Sequence, residues 1–262
     1  MDKQIVEEYL KRIGLDEMPP VNAEGLKTIQ QAHLRTIPFE NLDLIEDRVP
    51  LKLDEASLVD KLIRHKRGGI CYEQNILLGD ILREMGYGVE IRGARILPQG
   101  TFYDHVCVLV DIPVEAEDGE PATERWVADV GFGFNFACPL KLEFGLKQDD
   151  GRNVYYFEDA ADVGEGFIRL MRSNDEGFGQ AFTINPEPRT REDFQPRCDF
   201  YATSPESGLK QKNFFGIDCA EYRATLTANH LTTTVDGVKT VIDIESDEQF
   251  ETYLRDLFHI ER

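Results

Sequence analysis

The sequence predicts an α+β protein with more than one domain, and three patterns along its 262 residues indicate this. Apolar residues recur at helical spacing through residues 1–86, whereas apolar and polar residues alternate in residues 87–195. The last segment, residues 196–262, combines a hairpin pattern with a final helix. We therefore expect a helical N-terminal domain, a central β domain and a small α+β tail.

Four helices are predicted in the N-terminal domain. Apolar stripes indicate helices over residues 2–13 and 23–36. Asp54 is a typical N-cap for a third helix. A fourth helix is predicted from Cys71 to Met85, and Gly86 fits its C′ position. This assignment places Cys71 in the first turn of a helix.

The central and C-terminal domains are both predicted to contain strands, and glycine and proline residues separate these strands along the chain. A short helix is expected near residues 190–201. Asp236-Gly237 is a strong signal for a two-residue hairpin turn, and Ser246 with Gln249 indicates the capping box of a helix that ends near His259. The predicted strands are 89–92, 106–110, 125–129, 154–157, 167–172, 179–184, 231–235 and 238–242.

Composition and charge exclude several classes of function. The formal net charge of −20 opposes nucleic-acid binding, which needs a basic face, and no run of 18 apolar residues predicts a membrane span. The N-terminus lacks a signal-peptide pattern, and five scattered cysteines indicate reduced thiols, so we expect a cytoplasmic protein. Histidine and cysteine spacing predicts no metal site, and no phosphate-binding or dinucleotide-binding motif occurs.

Cys71 is a candidate nucleophile because of its position after Gly68-Gly69 at a helix start. The amides and the dipole at a helix N-terminus favour a thiolate, and the same amides can donate to an oxyanion. The alternative is that Cys71 is only a small buried core residue.

His105 and Asp129 are candidates for the other two members of a catalytic triad. His105 begins an alternating strand that directs it to the same face as Cys107, where it is either a general base or a core histidine. Asp129 ends an apolar strand, and a buried carboxylate there must be paired. If the two strands are adjacent, Asp129 lies behind His105 and orients its imidazole ring. Together with Cys71 these residues would then form a Cys-His-Asp triad.

Three motifs resemble the arylamine N-acetyltransferase family. Residues 67–75, Arg-Gly-Gly-Ile-Cys-Tyr-Glu-Gln-Asn, resemble its active-site cysteine motif. Residues 37–42, Ile-Pro-Phe-Glu-Asn-Leu, resemble its upstream signature, and residues 129–133, Asp-Val-Gly-Phe-Gly, resemble the segment with its catalytic aspartate. The resemblance extends to about residue 207.

The resemblance implies a helical bundle (1–86), an antiparallel β-barrel (87–195) and an α/β lid (196–262), with a catalytic core like that of cysteine proteases. It implies acetyl-CoA as co-substrate, without a tightly bound cofactor, and an arylamine, hydrazine or N-hydroxyarylamine as acceptor. The implied catalytic residues are Cys71 as nucleophile, His105 as base and Asp129 as its orienting group. Phe39 would line the acceptor pocket, Phe132 and Gly133 would lie near the coenzyme, and Arg67 and Glu40 would form a supporting ion pair.

Asp104 departs from the family pattern, because many relatives carry threonine or serine before the histidine, close to the coenzyme. A carboxylate there could repel the CoA phosphates or change the acyl donor. An amide synthase that uses a carrier-bound thioester therefore remains an alternative. A hydrolase or transglutaminase-like enzyme would have the same triad order, and a silent binding module would leave the thiol inert.

Overall fold

Helices form the N-terminal part of the computed structural model, which describes residues 1–46, 50–116, 118–133, 136–219 and 221–261. Asp2, Asn22 and Asp54 cap the first, second and fourth helices, each accepting a hydrogen bond from a backbone amide three residues on. The predicted helices are confirmed, although the one after Asp54 continues as a wider π-helical turn, Val59–Arg64. The helices are α1 Lys3–Arg12, α2 Ala23–Thr36, α3 Leu42–Ile45, α4 Glu55–Leu58 and α5 Cys71–Met85.

Eight antiparallel strands form a nearly closed barrel. In the order of the sheet the strands are β5 Leu140–Lys141, β4 Pro121–Ala128, β3 His105–Glu115, β2 Gly88–Arg95, β9 Gly177–Arg189, β8 Ile168–Asn174, β7 Val154–Asp159 and β6 Gln148–Asp149. The two end strands are joined through a side chain, because Gln148 accepts from the Lys141 amide at 2.7 Å and donates to its carbonyl at 2.9 Å.

The C-terminal part contains a second antiparallel sheet. Asp236 and Gly237 both have positive φ, as the predicted hairpin turn requires, so that prediction is confirmed. Two further strands were not predicted, and neither was the two-residue strand β1, Phe39–Glu40, which joins this sheet from the N-terminal part. The C-terminal elements are α6 Arg191–Thr203, α7 Gly208–Gln211, β10 Phe214–Asp218, β11 Arg223–Thr227, β12 His230–Val235, β13 Val238–Asp243 and α8 Asp247–Phe258.

Three apolar cores correspond to these parts. Tyr72 and Leu77 belong to the helical core, Phe157 and Phe182 to the barrel core, and Phe258 to the core under the C-terminal sheet. Helix α6 contributes buried side chains to the helical core, although it starts in the predicted barrel and runs into the predicted lid. Among the described residues, no helix is both long and apolar enough to cross a membrane.

Candidate active site

A tight turn delivers Cys71 to the first position of α5. A Cβ atom on Gly68 would lie 2.0 Å from the Pro38 carbonyl oxygen, so only glycine fits there without a backbone shift. Gly69 exchanges backbone hydrogen bonds with the Pro38–Glu40 segment, which fixes the turn against β1. Cys71 is 7% exposed, so the thiol is largely shielded from water at the start of the helix.

His105 and Asp129 are held together by a short hydrogen bond. His105 Nε2 lies 2.6 Å from Asp129 Oδ2, and both side chains are buried. The contact exists because β3 and β4 are neighbours, with His105 at the start of β3 and Asp129 directly after β4. With Nε2 engaged, Nδ1 is the ring nitrogen left for the Cys71 thiol, which is within hydrogen-bonding reach of the imidazole.

The electrostatics of this pair favour a charged imidazole. Burial alone would lower the pKa of His105, but the charge and hydrogen bond of Asp129, together with Cys71, raise it to about 10. These interactions therefore favour the imidazolium form of His105. An imidazolium beside a thiol at a helix N-terminus favours the thiolate, which is the nucleophilic form.

Asp129 is oriented by partners from three segments. Its Oδ1 accepts from Asn75 Nδ2 at 2.8 Å and from the Gly131 amide at 2.9 Å, while its own amide donates to Gln30. Asn75 also accepts from the Val130 amide at 2.8 Å. The carboxylate therefore has one oxygen for His105 and the other for neutral donors, which fixes its direction.

An ionic cluster lies beneath the turn that carries Cys71. Arg67 donates to Glu40 at 2.6 Å and to Asp43 at 3.0 Å, and Lys61 donates to Asp43 and Glu73 at 2.7 Å each. Burial raises the pKa of Glu73 even though Lys61 opposes the shift. The other oxygen of Glu73 accepts from the Ile70 amide at 3.0 Å, so the cluster connects directly to the residue before Cys71.

Of the two aromatic candidates, Phe132 contacts the triad and Phe39 contacts the C-terminal sheet. The Phe132 ring is 5.1 Å from the His105 ring between centroids, and Phe39 packs edge-on against Phe214 at 5.6 Å. Phe39 and Gly133 line one narrow cleft between the helical part and the C-terminal sheet. The further residues of that cleft are Leu34, Ile37, Val130, Gly216, Ile217 and Asp218.

Asp104 is engaged within the protein. Its carboxylate accepts from the amide and hydroxyl of Thr101 at 2.8 and 3.0 Å and from Arg197 Nη2 at 2.7 Å. Arg197 belongs to α6, and its charge balances that of Asp104. The Asp104 carboxylate, which was expected to repel the phosphates of CoA, therefore already has a cationic partner in Arg197.

Comparisons with known proteins agree with this geometry. An N-acetyltransferase family model matches residues 22–261. The arylamine N-acetyltransferase of Mycolicibacterium smegmatis is 34% identical over 76% of this chain and 71% of its own length. The chain belongs to the arylamine N-acetyltransferase family. The predicted family, fold class and activity, an acetyl-CoA-dependent arylamine N-acetyltransferase, are confirmed.

Solved structures of arylamine N-acetyltransferases share the whole fold. The Mycobacterium smegmatis structure superposes with a TM-score of 0.86 at 30% identity, covering 100% of this chain and 93% of that one. The Mycobacterium marinum structure in complex with CoA superposes with a TM-score of 0.85 at 26% identity, covering 97% and 92%. The fold of this chain is therefore that of the family.

Several site residues of this arylamine N-acetyltransferase family member were not predicted from sequence. Asn75 carries a detectable signal, since four residues after Cys71 places it one helical turn further along α5. Gln30, Lys61, Asp43 and Arg197 carry none, because each lies far along the chain from the residue that it contacts. Their contribution follows only from the tertiary structure.

Proposed function

We propose that Cys71, His105 and Asp129 form the catalytic triad, which transfers an acetyl group from acetyl-CoA to an arylamine, hydrazine or N-hydroxyarylamine. The observation that carries this proposal is the 2.6 Å hydrogen bond between His105 and Asp129 next to Cys71 at the start of α5. It supplies a nucleophile, a base and the group that orients the base.

The first half-reaction makes an acetyl-enzyme. The Cys71 thiolate attacks the thioester carbonyl, and first-turn amides of α5, which have no partner within the helix, are positioned to stabilise the oxyanion. The intermediate then collapses and the bond from carbon to the CoA sulfur breaks. The CoA thiolate takes the proton of the His105 imidazolium, which leaves acetyl-Cys71, free CoA and neutral His105.

The second half-reaction transfers the acetyl group to nitrogen. The amine attacks the thioester of acetyl-Cys71 and gives its proton to His105, and the bond from carbon to Cys71 sulfur breaks. The products are the amide and the original thiolate–imidazolium pair. Aromatic amines suit this step because they are unprotonated at neutral pH.

Substrate placement is proposed from the aromatic residues described above. We propose that the acceptor ring lies against Phe39 and that the acyl donor approaches along Phe132 and Gly133. The CoA complex of the Mycobacterium marinum relative supports CoA as the carrier. Acceptors of this class fit a role in xenobiotic metabolism, and the scattered cysteines fit a reducing, cytoplasmic setting.

Intact-mass analysis after mixing with acetyl-CoA, without an acceptor, tests this function. We expect one added acetyl group, mapped to Cys71, that an arylamine removes. Cys71→Ser should abolish the adduct, whereas Cys219→Ser, which changes a cysteine at the end of β10, should retain it.

Other outcomes would contradict the proposal in distinct ways. An adduct that water removes without an amine would favour a hydrolase. A rapidly alkylated Cys71 that acetyl-CoA does not acetylate would favour an amide synthase with a carrier-bound donor. A slowly alkylated Cys71 with no adduct would leave only the fold assignment.

A further inference from the structure

Helix α6 connects the segments on either side of the triad through one ion pair and a group of aromatic rings. Asp104, the residue before His105, accepts from Arg197 of α6 at 2.7 Å, and its side chain is only 12% exposed. Tyr72, the residue after Cys71, contacts the Tyr201 ring of the same helix at 6.0 Å between centroids. The hydroxyl of Tyr72 donates to the carbonyl of Tyr103. One helix thus contacts both neighbours of the reacting groups.

Arg197 is held in a defined place between these two contacts. Its guanidinium carbon lies 4.4 Å from the centre of the Phe200 ring and 4.8 Å from that of Tyr201. Such cation–π contacts restrict a long side chain to one arrangement. Its Nε is buried and has no hydrogen-bond partner among the described residues, whereas its Nη2 donates to Asp104, and the Tyr201 side chain is a further polar neighbour of the guanidinium.

The carboxylate of Asp104 needs this partner because of where it lies. It closes the Thr101–Asp104 turn by accepting from Thr101, so it is fixed in place directly before His105. An unbalanced negative charge at this position would oppose every loss of a proton from the Cys71–His105 pair, since each such loss adds negative charge. It would also repel the phosphates of an anionic acyl donor.

We propose that Arg197 is a positioning residue that neutralises Asp104 and so sets the pH range in which the Cys71–His105 pair reacts. The proposal rests on the function proposed above, because it takes Cys71 and His105 as the reacting groups. Arg197 acts through Asp104 and does not itself contact the reacting atoms.

Other ionisable groups also face the reacting pair, and all of them are constant across the comparison below. They come from the start of α5, from α6 and from the end of β4. They are Tyr72, Cys198, Tyr201 and Asp129, and Glu73 acts on Cys198 from the first turn of α5.

The test measures how the alkylation rate of Cys71 depends on pH in four full-length variants. Arg197→Gln should move the whole profile up by about 0.5–1 pH unit, because it leaves the carboxylate unbalanced. Asp104→Asn should move it down by a similar amount, because it leaves the cation unbalanced. The double variant should return close to the wild-type profile, and Arg197→Lys should stay near it because the charge is retained.

Arg191→Gln is the matched control. Arg191 is on the same helix and forms an equivalent ion pair with Asp80 at 2.6 Å, near the middle of α5 and away from Cys71. We expect it to leave the alkylation profile unchanged. It therefore separates the local effect of charge from a general weakening of α6.

A purely structural role would give a different pattern. Arg197→Gln and Asp104→Asn would then move the profile in the same direction or not at all, and the double variant would not recover, either of which overturns the proposal. Failure of the proposed function is distinguishable, because it appears as missing acetylation of the wild-type protein. The opposite shifts in alkylation do not require acetyl-CoA.

Discussion

Replacing Asp129 with asparagine gives the most direct measure of how the triad is charged. Asp129 is fully buried, lies 2.6 Å from His105 and has further donors on its second oxygen. With that charge present, the pKa of His105 is about 10, against 6.5 for an isolated histidine. At 1.36 kcal/mol per unit, this difference corresponds to about 5 kcal/mol of stabilisation of the imidazolium.

In Asp129→Asn, burial dominates and the imidazole becomes neutral at pH 7. The Cys71 thiolate then loses its counter-ion. Even if half of the stabilisation is recovered by rearrangement, the alkylation rate at pH 7 should fall about sixtyfold, and full loss gives about three-thousandfold. The measurement is the second-order rate of Cys71 alkylation from pH 5 to 10, together with the thermal unfolding temperature.

Asp150→Asn provides the matched control. Asp150 is also a buried carboxylate and accepts hydrogen bonds from three backbone amides, but it lies in the turn between β6 and β7. We expect it to lower the unfolding temperature without changing the alkylation profile. A folded Asp129→Asn protein with wild-type alkylation would refute the charged pair, and a changed profile in Asp150→Asn would make the effect non-specific.

Three further predictions concern the surroundings of the triad. Gly131→Ala places a Cβ atom 2.5 Å from the Cys71 Cα, so unfolding measurements should show a loss of about 1–3 kcal/mol, whereas Gly208→Ala, with open space around it, should stay within about 0.5 kcal/mol. Burial lowers the pKa of His33 to about 3. Below about pH 6.5 this histidine therefore takes up a proton in the unfolded chain but not in the folded one, and the free energy of unfolding falls with decreasing pH by up to about 1.4 kcal/mol per pH unit. His33→Gln should remove this pH dependence of the free energy of unfolding, which denaturant titrations between pH 6.5 and 4 measure. An unchanged slope of that free energy against pH would contradict the prediction. Glu73→Gln keeps an acceptor for the Ile70 amide, whereas Glu73→Met does not. Single-turnover acetylation should therefore be about tenfold faster in Glu73→Gln than in Glu73→Met. Equal rates would exclude a role for the hydrogen bond between Glu73 and the Ile70 amide.

The sequence predicts those elements whose signals are local. The helix from Cys71 to Met85 is marked by apolar spacing and by Gly86, which has the left-handed conformation required at its C-terminus. The Asp236-Gly237 turn is likewise defined by the conformational needs of its own two residues. Such features depend on a few neighbouring residues, so they can be identified without the tertiary structure.

The features that were missed depend on contacts between distant segments. β1 has only two residues, and it is a strand because β10 pairs with it some 175 positions later along the chain. The barrel closes through the side chain of Gln148, which no alternating pattern indicates. Arg197 and Asp104 are separated by 93 positions, so the charge balance beside His105 was not visible, and Asp104 alone suggested repulsion of the donor.

β1 also explains why the site needs all three parts of the fold. The backbone of Phe39 pairs with Gly216 of β10, and the backbone amide of Glu40 donates to the Gly69 carbonyl in the turn before Cys71 at 3.1 Å. The same two residues provide an aromatic wall of the cleft and the carboxylate that binds Arg67. A displacement of the C-terminal sheet would therefore move Phe39 and the turn before Cys71 together. Because β1 pairs with both β10 and the turn before Cys71, the C-terminal sheet helps to hold the candidate active site in place.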